Sequence, residues 1–264
     1  MQNRIGITQW NGPWAQKDLC MQAERTGLES LHLELGSSDD GYPMSRPEIQ
    51  SDWLENAERY HLQIVSLALN DLCGHGFTAG LKAPQSETAV ATMKYGVETA
   101  HAMGIPSISV PHFFANRITD RDSFNASVEA LRFLCDMAAD NGILIHTENV
   151  LSNPELERLW NDVDRENLRL LFDSQNYAAM AGLDAAEIFQ KWQGYCGSYL
   201  HIKDGITPAL GDQPLWKGNS NFERIFNVIR NSGFTGDLIL ESNYADEATL
   251  LQDMKQVSQC MSGK

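Results

Sequence analysis

Four acidic or imidazole side chains stand at the ends of four successive apolar stretches in the second half of the chain. They are Glu148, Asp173, His201 and Glu241. Carboxylates and imidazoles bind divalent cations, and both also transfer protons. A single Asp or Glu after a strand more often caps a helix or begins a solvated loop. Because such side chains recur at four neighbouring positions, one shared metal site is favoured over four separate caps.

Strand-like and helix-like stretches alternate along the whole chain and would position these side chains. Strands are predicted at residues 4–9, 30–35, 62–69, 107–112, 143–148, 168–173, 199–203 and 237–241. Helices are predicted at residues 13–27, 47–60, 85–103, 120–140, 153–163, 183–193, 220–232 and 246–260. Repeated strand–helix units indicate a parallel sheet. Eight units in one length without a composition break predict an α/β protein, a single (β/α)8 TIM barrel domain over residues 1–264.

The seventh predicted strand shows most clearly how such a barrel presents polar groups. Tyr199, His201 and Lys203 share one face, and Leu200 and Ile202 share the other. A solvated edge strand would have the same pattern. In a barrel, however, active sites lie at the carboxyl ends of the strands, so this face is expected to look into a polar site.

The four candidate ligands contain no thiolate, so they form a hard, oxygen-rich set. Such a set favours Mn²⁺, Mg²⁺ or Co²⁺ in roughly octahedral geometry, while Zn²⁺ stays an alternative. We expect one divalent metal ion, with Mn²⁺ as the first choice.

Composition narrows the classes of partner. The formal net charge of −15 disfavours a nucleic-acid surface. The five cysteines are scattered and form no Cys-x-x-Cys, so neither a disulfide framework nor a thiolate zinc cluster is indicated.

The sequence shows neither a basic-then-apolar leader nor an apolar run near 18 residues, so we expect a cytoplasmic protein without a membrane partner. Glycine-rich nucleotide-binding motifs are absent from the sequence as well.

The strand ends also carry a family resemblance, which covers the whole chain. The motifs are Thr147-Glu148-Asn149, Phe172-Asp173, His201-Ile202-Lys203-Asp204 and Leu240-Glu241-Ser242. They resemble those of the xylose isomerase-like TIM-barrel superfamily of sugar isomerases and epimerases. The resemblance implies a metal held by all four ligands, with Glu148 and Glu241 as the acid/base pair on opposite sides of the substrate. It implies a sugar or ketose isomerase or epimerase that abstracts a proton next to a carbonyl through a metal-stabilised enediolate.

Departures from the family pattern bear on the substrate. Where 3-epimerases of free ketoses have a Glu, a His and an Arg, this chain has Pro154, Asn176 and Thr207. The His-x-Lys-Asp form instead resembles a broader group that includes inosose isomerases and dehydratases. Two alternatives therefore stay open: a lyase or dehydratase on an inosose or keto-sugar with the same metal site, and a non-catalytic polyol-binding barrel. Endonuclease IV shares the fold, but the acidic charge and His-x-Lys in place of His-x-His argue against it.

Further substrate-binding candidates lie at other strand ends or in the loops. They are Lys203, Asn176, His112, Glu34 and Trp10. Lys203 can instead pair with Asp173 or Glu241, and His112 and Trp10 can have packing roles. No phosphate clamp is evident after strands seven and eight, so we expect an unphosphorylated small-molecule substrate. A homo-oligomer is compatible with the sequence.

Overall fold

The structure, a computed structural model, describes residues 3–263; the predicted domain 1–264 therefore includes three residues that lie outside the described part. The strands are β1 (Ile5–Thr8), β2 (Ser30–Glu34), β3 (Gln63–Ala68), β4 (Ser107–Pro111), β5 (Leu144–Glu148), β6 (Leu168–Leu170), β7 (Tyr199–Ile202) and β8 (Asp237–Leu240). The α-helices are α1 (Leu19–Thr26), α2 (Pro47–Arg59), α3 (Glu87–Met103), α4 (Arg121–Ala139), α5 (Asn153–Val163), α6 (Asn176–Ala181), α7 (Ala185–Trp192), α8 (Phe222–Ser232) and α9 (Glu247–Ser262).

The strands form one eight-stranded sheet in the order β6-β5-β4-β3-β2-β1-β8-β7. The strand pairs whose register is resolved are all parallel, as helical connections between successive strands require. This architecture is consistent with an α/β TIM barrel, and the strand order is open between β6 and β7. There the segment after β6 bonds to β7: His201 N–H donates to Phe172 O at 3.0 Å, and Ser174 N–H donates to His201 O at 3.1 Å.

Backbone contacts group the chain into two compact units. The first contains the described residues up to 32, residues 56–64 and those from 171 on; the second contains residues 33–55 and 65–170. The prediction of one domain stays a prediction.

In the first unit, the core is built on β7, β8 and β1. Leu200 pairs with Leu238 and Ile202 with Leu240, so the apolar face of β7 continues into β8. Gly6 lies where β1 packs tightly against its neighbours, because a Cβ there would lie 2.5 Å from Ser30 O and 2.6 Å from Ile239 Cδ1. Any side chain at this position would force β1 away from its neighbours.

In the second unit, small polar residues let β3 and β4 approach. The Ser66 hydroxyl donates to Ser107 O at 3.1 Å, and the Ser107 hydroxyl donates to Val65 O at 2.8 Å. These bonds satisfy hydroxyls that are fully buried. The β4–β5 register then places Pro111 beside Glu148 at the carboxyl end of both strands.

Two predicted elements differ from the structure. The helix expected at 13–27 is an α-helix only over Leu19–Thr26, after a short 3-10 turn at Gln16–Asp18. α6 was not predicted, and β6 is shorter than the predicted 168–173. The shorter β6 and the additional α6 have one cause. Asp173 accepts backbone N–H groups at the start of α6, so the chain leaves the strand before this residue.

Candidate active site

A buried group of charged side chains gathers at the carboxyl ends of β7 and β8. Lys203 Nζ lies 2.7 Å from Glu241 Oε2 and 3.1 Å from Asp173 Oδ2. His201 Nδ1 lies 3.1 Å from the same Glu241 oxygen. Asp173 and His201 are each 1% exposed and Lys203 is 7% exposed, so little solvent screens these contacts.

Strand pairing explains why these side chains meet. Asp173 pairs with His201 in an isolated parallel bridge. The Glu241 N–H donates to Ile202 O at 2.9 Å, which continues the β7–β8 ladder one residue beyond β8. Since side chains alternate along a strand, His201 and Lys203 then face the same side as Asp173 and Glu241.

The two carboxylate oxygens of Asp173 have different partners. Oδ1 accepts the backbone N–H groups of Gln175 at 2.8 Å and Asn176 at 2.7 Å, at the start of α6. Asp173 therefore also has the helix-capping role that a single Asp after a strand commonly has. Oδ2 meanwhile faces Lys203, so the same carboxylate also takes part in the charged group.

Glu241 is held as a carboxylate despite its burial. Burial alone would raise its pKa, but His201 and Lys203, through their charges and hydrogen bonds, hold the pKa well below its usual range. The ionised form therefore stabilises the fold above the unfolded-state pKa of about 4.3, and this contribution is lost only as pH falls towards the lower folded-state pKa.

Together with Glu148, these side chains form a set that fits a divalent cation. Glu148, Asp173, His201 and Glu241 each offer one ligand atom, and these atoms all lie within 4.8 Å of one another. Ligand atoms around one ion with bonds of about 2.1 Å are separated by roughly 3–4.2 Å. Carboxylate oxygens with one imidazole nitrogen suit Mn²⁺, Mg²⁺ and Zn²⁺ alike, so the donor set does not select the metal.

The five substrate-binding candidates have different surroundings. Lys203 makes the ion pairs that were its structural alternative. Asn176 is buried at the start of α6, and Glu34 Oε2 accepts from Asn70 Nδ2 at 3.2 Å. Trp10 packs edge-on against the ring of His32, with centroids 5.2 Å apart. Their roles towards a substrate stay predictions.

His112 has a notably apolar setting. Its ring packs edge-on against Phe77, and among the described residues neither ring nitrogen has a hydrogen-bond partner. Burial lowers the pKa of His112 to about 4, so the ring is neutral near pH 7. His112 follows β4 directly and contacts the aromatic ring of Phe77. This position gives no support to a substrate contact.

His32 is the neighbour of the site that the sequence did not single out. It is fully buried on β2, and its Nδ1 lies 2.9 Å from Nε2 of His201. Its position two residues before Glu34 puts both on one face of the strand, which was the available clue.

The loop after β7 is fastened at both ends. Asp204 accepts the N–H of Gly205 at 2.9 Å, the N–H of Gly218 at 2.9 Å and the hydroxyl of Ser220. Midway, the Leu215 N–H donates to both oxygens of Asp253 on α9, at 3.2 and 3.1 Å.

Comparison with known proteins identifies the family of this chain. A family model described as xylose isomerase-like TIM barrel matches residues 21–260. The chain belongs to this family. The resemblance drawn from the strand-end motifs is thereby confirmed. Within residues 3–263, no helix combines the length and the apolar character needed to cross a bilayer.

Individual members of the xylose isomerase-like family are distant in sequence. A 2-epi-5-epi-valiolone 7-phosphate 2-epimerase from Actinoplanes sp. (strain ATCC 31044 / CBS 674.73 / SE50/110) is 28% identical over 245 residues, which cover 92% of this chain and 88% of the relative. A xylose isomerase domain protein from Planctomyces limnophilus superposes with a TM-score of 0.77 at 19% identity, covering 100% of this chain and 97% of the other. A xylose isomerase-like TIM barrel protein from Mycobacterium smegmatis in complex with magnesium has a TM-score of 0.72 at 15% identity, covering 100% and 99%.

Proposed function

We propose that the protein is a divalent-metal-dependent epimerase or isomerase of a sugar or a related polyhydroxy ketone. The observation that carries the proposal is the group of three carboxylates and one imidazole within 4.8 Å. The relative at 28% identity is an epimerase by name, which supports an enzyme that acts on sugars. A barrel that only binds polyols would not need two carboxylates in addition to the anchors Asp173 and His201.

Proton abstraction beside a carbonyl accounts for this set of residues. Such a proton is weakly acidic, and its removal leaves an enediolate whose negative charge must be stabilised. A divalent cation held by the four side chains would polarise the carbonyl. Glu148 and Glu241 are the proposed acid/base pair: one carboxylate takes the proton, and the other returns one to the opposite face or to the neighbouring carbon.

The surroundings of Glu241 suit it to accept a proton. His201 and Lys203 keep it ionised at neutral pH, so it carries no proton of its own that would block proton transfer to it. Asp173, whose Oδ1 is fixed by two backbone N–H groups, is better suited to hold a cation than to move. Asp173 and His201 are therefore the proposed anchors.

The substrate's phosphorylation state is open to a direct comparison. The sequence gives no clear phosphate clamp, whereas the Actinoplanes relative is named for a 7-phosphate substrate. Both free and phosphorylated keto-polyols belong in the test.

The test is wash-in of solvent deuterium with Mn²⁺-loaded protein. A panel of free and phosphorylated ketoses and cyclic keto-polyols is incubated in D₂O, and NMR detects deuterium at the carbon beside the carbonyl. The wild-type protein is expected to label at least one compound and to return it as its epimer or isomer. Glu148→Gln and Glu241→Gln are expected to lose this activity by at least about 100-fold, since general acid–base catalysis contributes on the order of 10²–10⁴.

Glu55→Gln on the exposed side of α2 is the matched control, because it makes the same chemical change away from the site. Labelling that persists undiminished in either active-site variant contradicts the acid/base assignment. Loss of water from the labelled compound would instead identify a dehydratase. A metal-loaded protein that binds keto-polyols without labelling any of them would be a binding protein.

A further inference from the structure

The buried contact between His32 and His201 bears directly on the proposed metal site. His32 Nδ1 lies 2.9 Å from His201 Nε2. The other ring nitrogen of His201, Nδ1, lies 3.1 Å from Glu241 Oε2. Both rings are almost completely buried, with exposures of 0% and 1%. One nitrogen of the His32–His201 contact must donate a proton, and the other must accept it.

The direction of this hydrogen bond decides whether His201 can bind a cation. If His201 Nε2–H donates to His32 Nδ1, a neutral His201 presents an unprotonated Nδ1 to the carboxylates. If His32 donates instead, the proton of a neutral His201 sits on Nδ1 and blocks that nitrogen. Since a ligating nitrogen must be unprotonated, only the first arrangement is compatible with a metal.

The ring of His32 is held rigidly enough to serve as a fixed acceptor. Trp10 and Tyr199 pack edge-on against it, with centroid separations of 5.2 and 5.1 Å. Its backbone is fixed as well, because Gln9 N–H donates to His32 O at 2.9 Å and Thr8 pairs with it across the β1–β2 ladder. Reorienting the ring would require repacking these aromatic contacts.

We propose that His32 is a positioning residue that accepts the Nε2 proton of His201 and so leaves Nδ1, which faces Glu241, as the nitrogen that is unprotonated when a cation binds. The proposal rests on the proposed function in one respect, namely that the group binds a divalent cation. It adds that the affinity for this cation depends on a β2 side chain outside the four ligands. Metal-ligating histidines generally donate their second ring N–H to such a partner.

Three substitutions separate hydrogen bonding from packing. His32→Asn keeps an acceptor oxygen near the position of Nδ1 but loses the aromatic ring. His32→Leu has nearly the shape of Asn and keeps neither feature. His32→Phe keeps an aromatic ring between Trp10 and Tyr199 and loses the acceptor.

The first measurement is titration of metal-free protein with Mn²⁺ by calorimetry. We expect the dissociation constant to rise about 10–100-fold in His32→Leu and His32→Phe. His32→Asn should stay within about threefold of the wild type. If His32→Leu does not fold, the comparison of His32→Phe with His32→Asn still decides the question.

The second measurement is a long-range ¹H–¹⁵N NMR spectrum of Zn²⁺-loaded protein. The Nε2 proton of His201 should appear as a hydrogen-bonded, slowly exchanging resonance in the wild type and in His32→Asn. It should exchange too fast for detection in His32→Phe. A purely structural role of His32 would not produce this difference.

Three results would overturn the proposal. Wild-type affinity in all variants would show that His32 does not influence the metal while leaving the metal site intact. Equal weakening in His32→Asn and His32→Leu would assign the effect to ring packing. Failure of the wild type itself to bind Mn²⁺ or Zn²⁺ would refute the proposed metal site, and the positioning role with it.

Discussion

Lys203 supplies positive charge to two buried carboxylates, Asp173 and Glu241, in the absence of a cation. Lys203→Met should therefore destabilise metal-free protein by about 3–5 kcal/mol, the usual result of removing one partner of a buried ion pair. With saturating Mn²⁺ the loss should be clearly smaller, because the ion supplies positive charge to the same carboxylates. Urea unfolding with and without Mn²⁺ measures the difference.

Lys217→Met, an exposed position in the loop after β7, is the control for Lys203→Met and should change stability little in either state. Equal destabilisation of Lys203→Met with and without Mn²⁺ would show that Lys203 and the cation do not act on the same charges.

The residue types of the site could be predicted because each lies at or near the carboxyl end of a strand that the apolar pattern of the sequence indicates. Glu148, Asp173, His201 and Glu241 are brought together as expected. The hydrogen bond of His32 could not be predicted, since it depends on the distance between β2 and β7, which are not consecutive in the chain. Likewise, the sequence could not distinguish a substrate contact of Lys203 from an ion pair with a carboxylate, because both roles require a buried ammonium group.

At the level of elements, α9 fixes the loop after β7 through Asp253. This carboxyl is fully buried, and burial raises its pKa to about 6, against the lowering effect of its hydrogen bonds from Leu215 N–H and the Tyr244 hydroxyl. A folded-state pKa above the unfolded value means that stability is greatest below the unfolded pKa and falls as pH rises towards 6. Asp253→Asn keeps an acceptor for Leu215 and removes this dependence.

We therefore expect Asp253→Asn to gain stability relative to the wild type between about pH 4 and pH 6.5, by roughly 3 kcal/mol at most. Urea unfolding at intervals of half a pH unit measures the gain. Asp122→Asn on α4, at an exposed carboxylate, should show no comparable trend. A difference between Asp253→Asn and the wild type that does not change with pH would mean that Asp253 keeps one protonation state throughout.

The elements themselves were predictable to within a few residues where the apolar pattern is long, as in α3 and α4. Capping explains the good boundary of α4, whose first turn is closed by reciprocal bonds between Asp120 and Ser123. The short α6 was not predicted because six residues give too little apolar periodicity. Its first turn also depends on the Asp173 carboxylate, which was interpreted as a metal ligand.

On the scale of the whole molecule, a net charge of −15 and a buried carboxylate group both make a divalent cation stabilising. At a free Mn²⁺ concentration 100 times the dissociation constant, one bound ion adds about 2.7 kcal/mol. The melting temperature of metal-free wild type should then rise by roughly 5 °C, and a chelator should reverse the rise.

Asp173→Asn is the matched control for this thermal shift, because it keeps the Oδ1 acceptor at the start of α6 and removes the ligand charge. Its melting temperature, compared with and without Mn²⁺, should respond weakly to the ion. A rise of equal size in Asp173→Asn would place the bound ion elsewhere on the acidic surface.

The hydrogen bonds of Asp204 limit where the loop after β7 can change. Both ends of the segment 206–217 meet at one carboxylate, and a Cβ at Gly218 would lie only 2.4 Å from Gly205 N, so the junction tolerates little change. Between its ends the segment is held again, because the Leu215 N–H bonds to Asp253. An insertion on either side of Leu215 adds about 0.6 kcal/mol of loop-closure entropy for each doubling in length. The loop is therefore fixed at three points, so an insertion that keeps Asp204, Leu215 and Gly218 in place is expected to be tolerated next to the charged group.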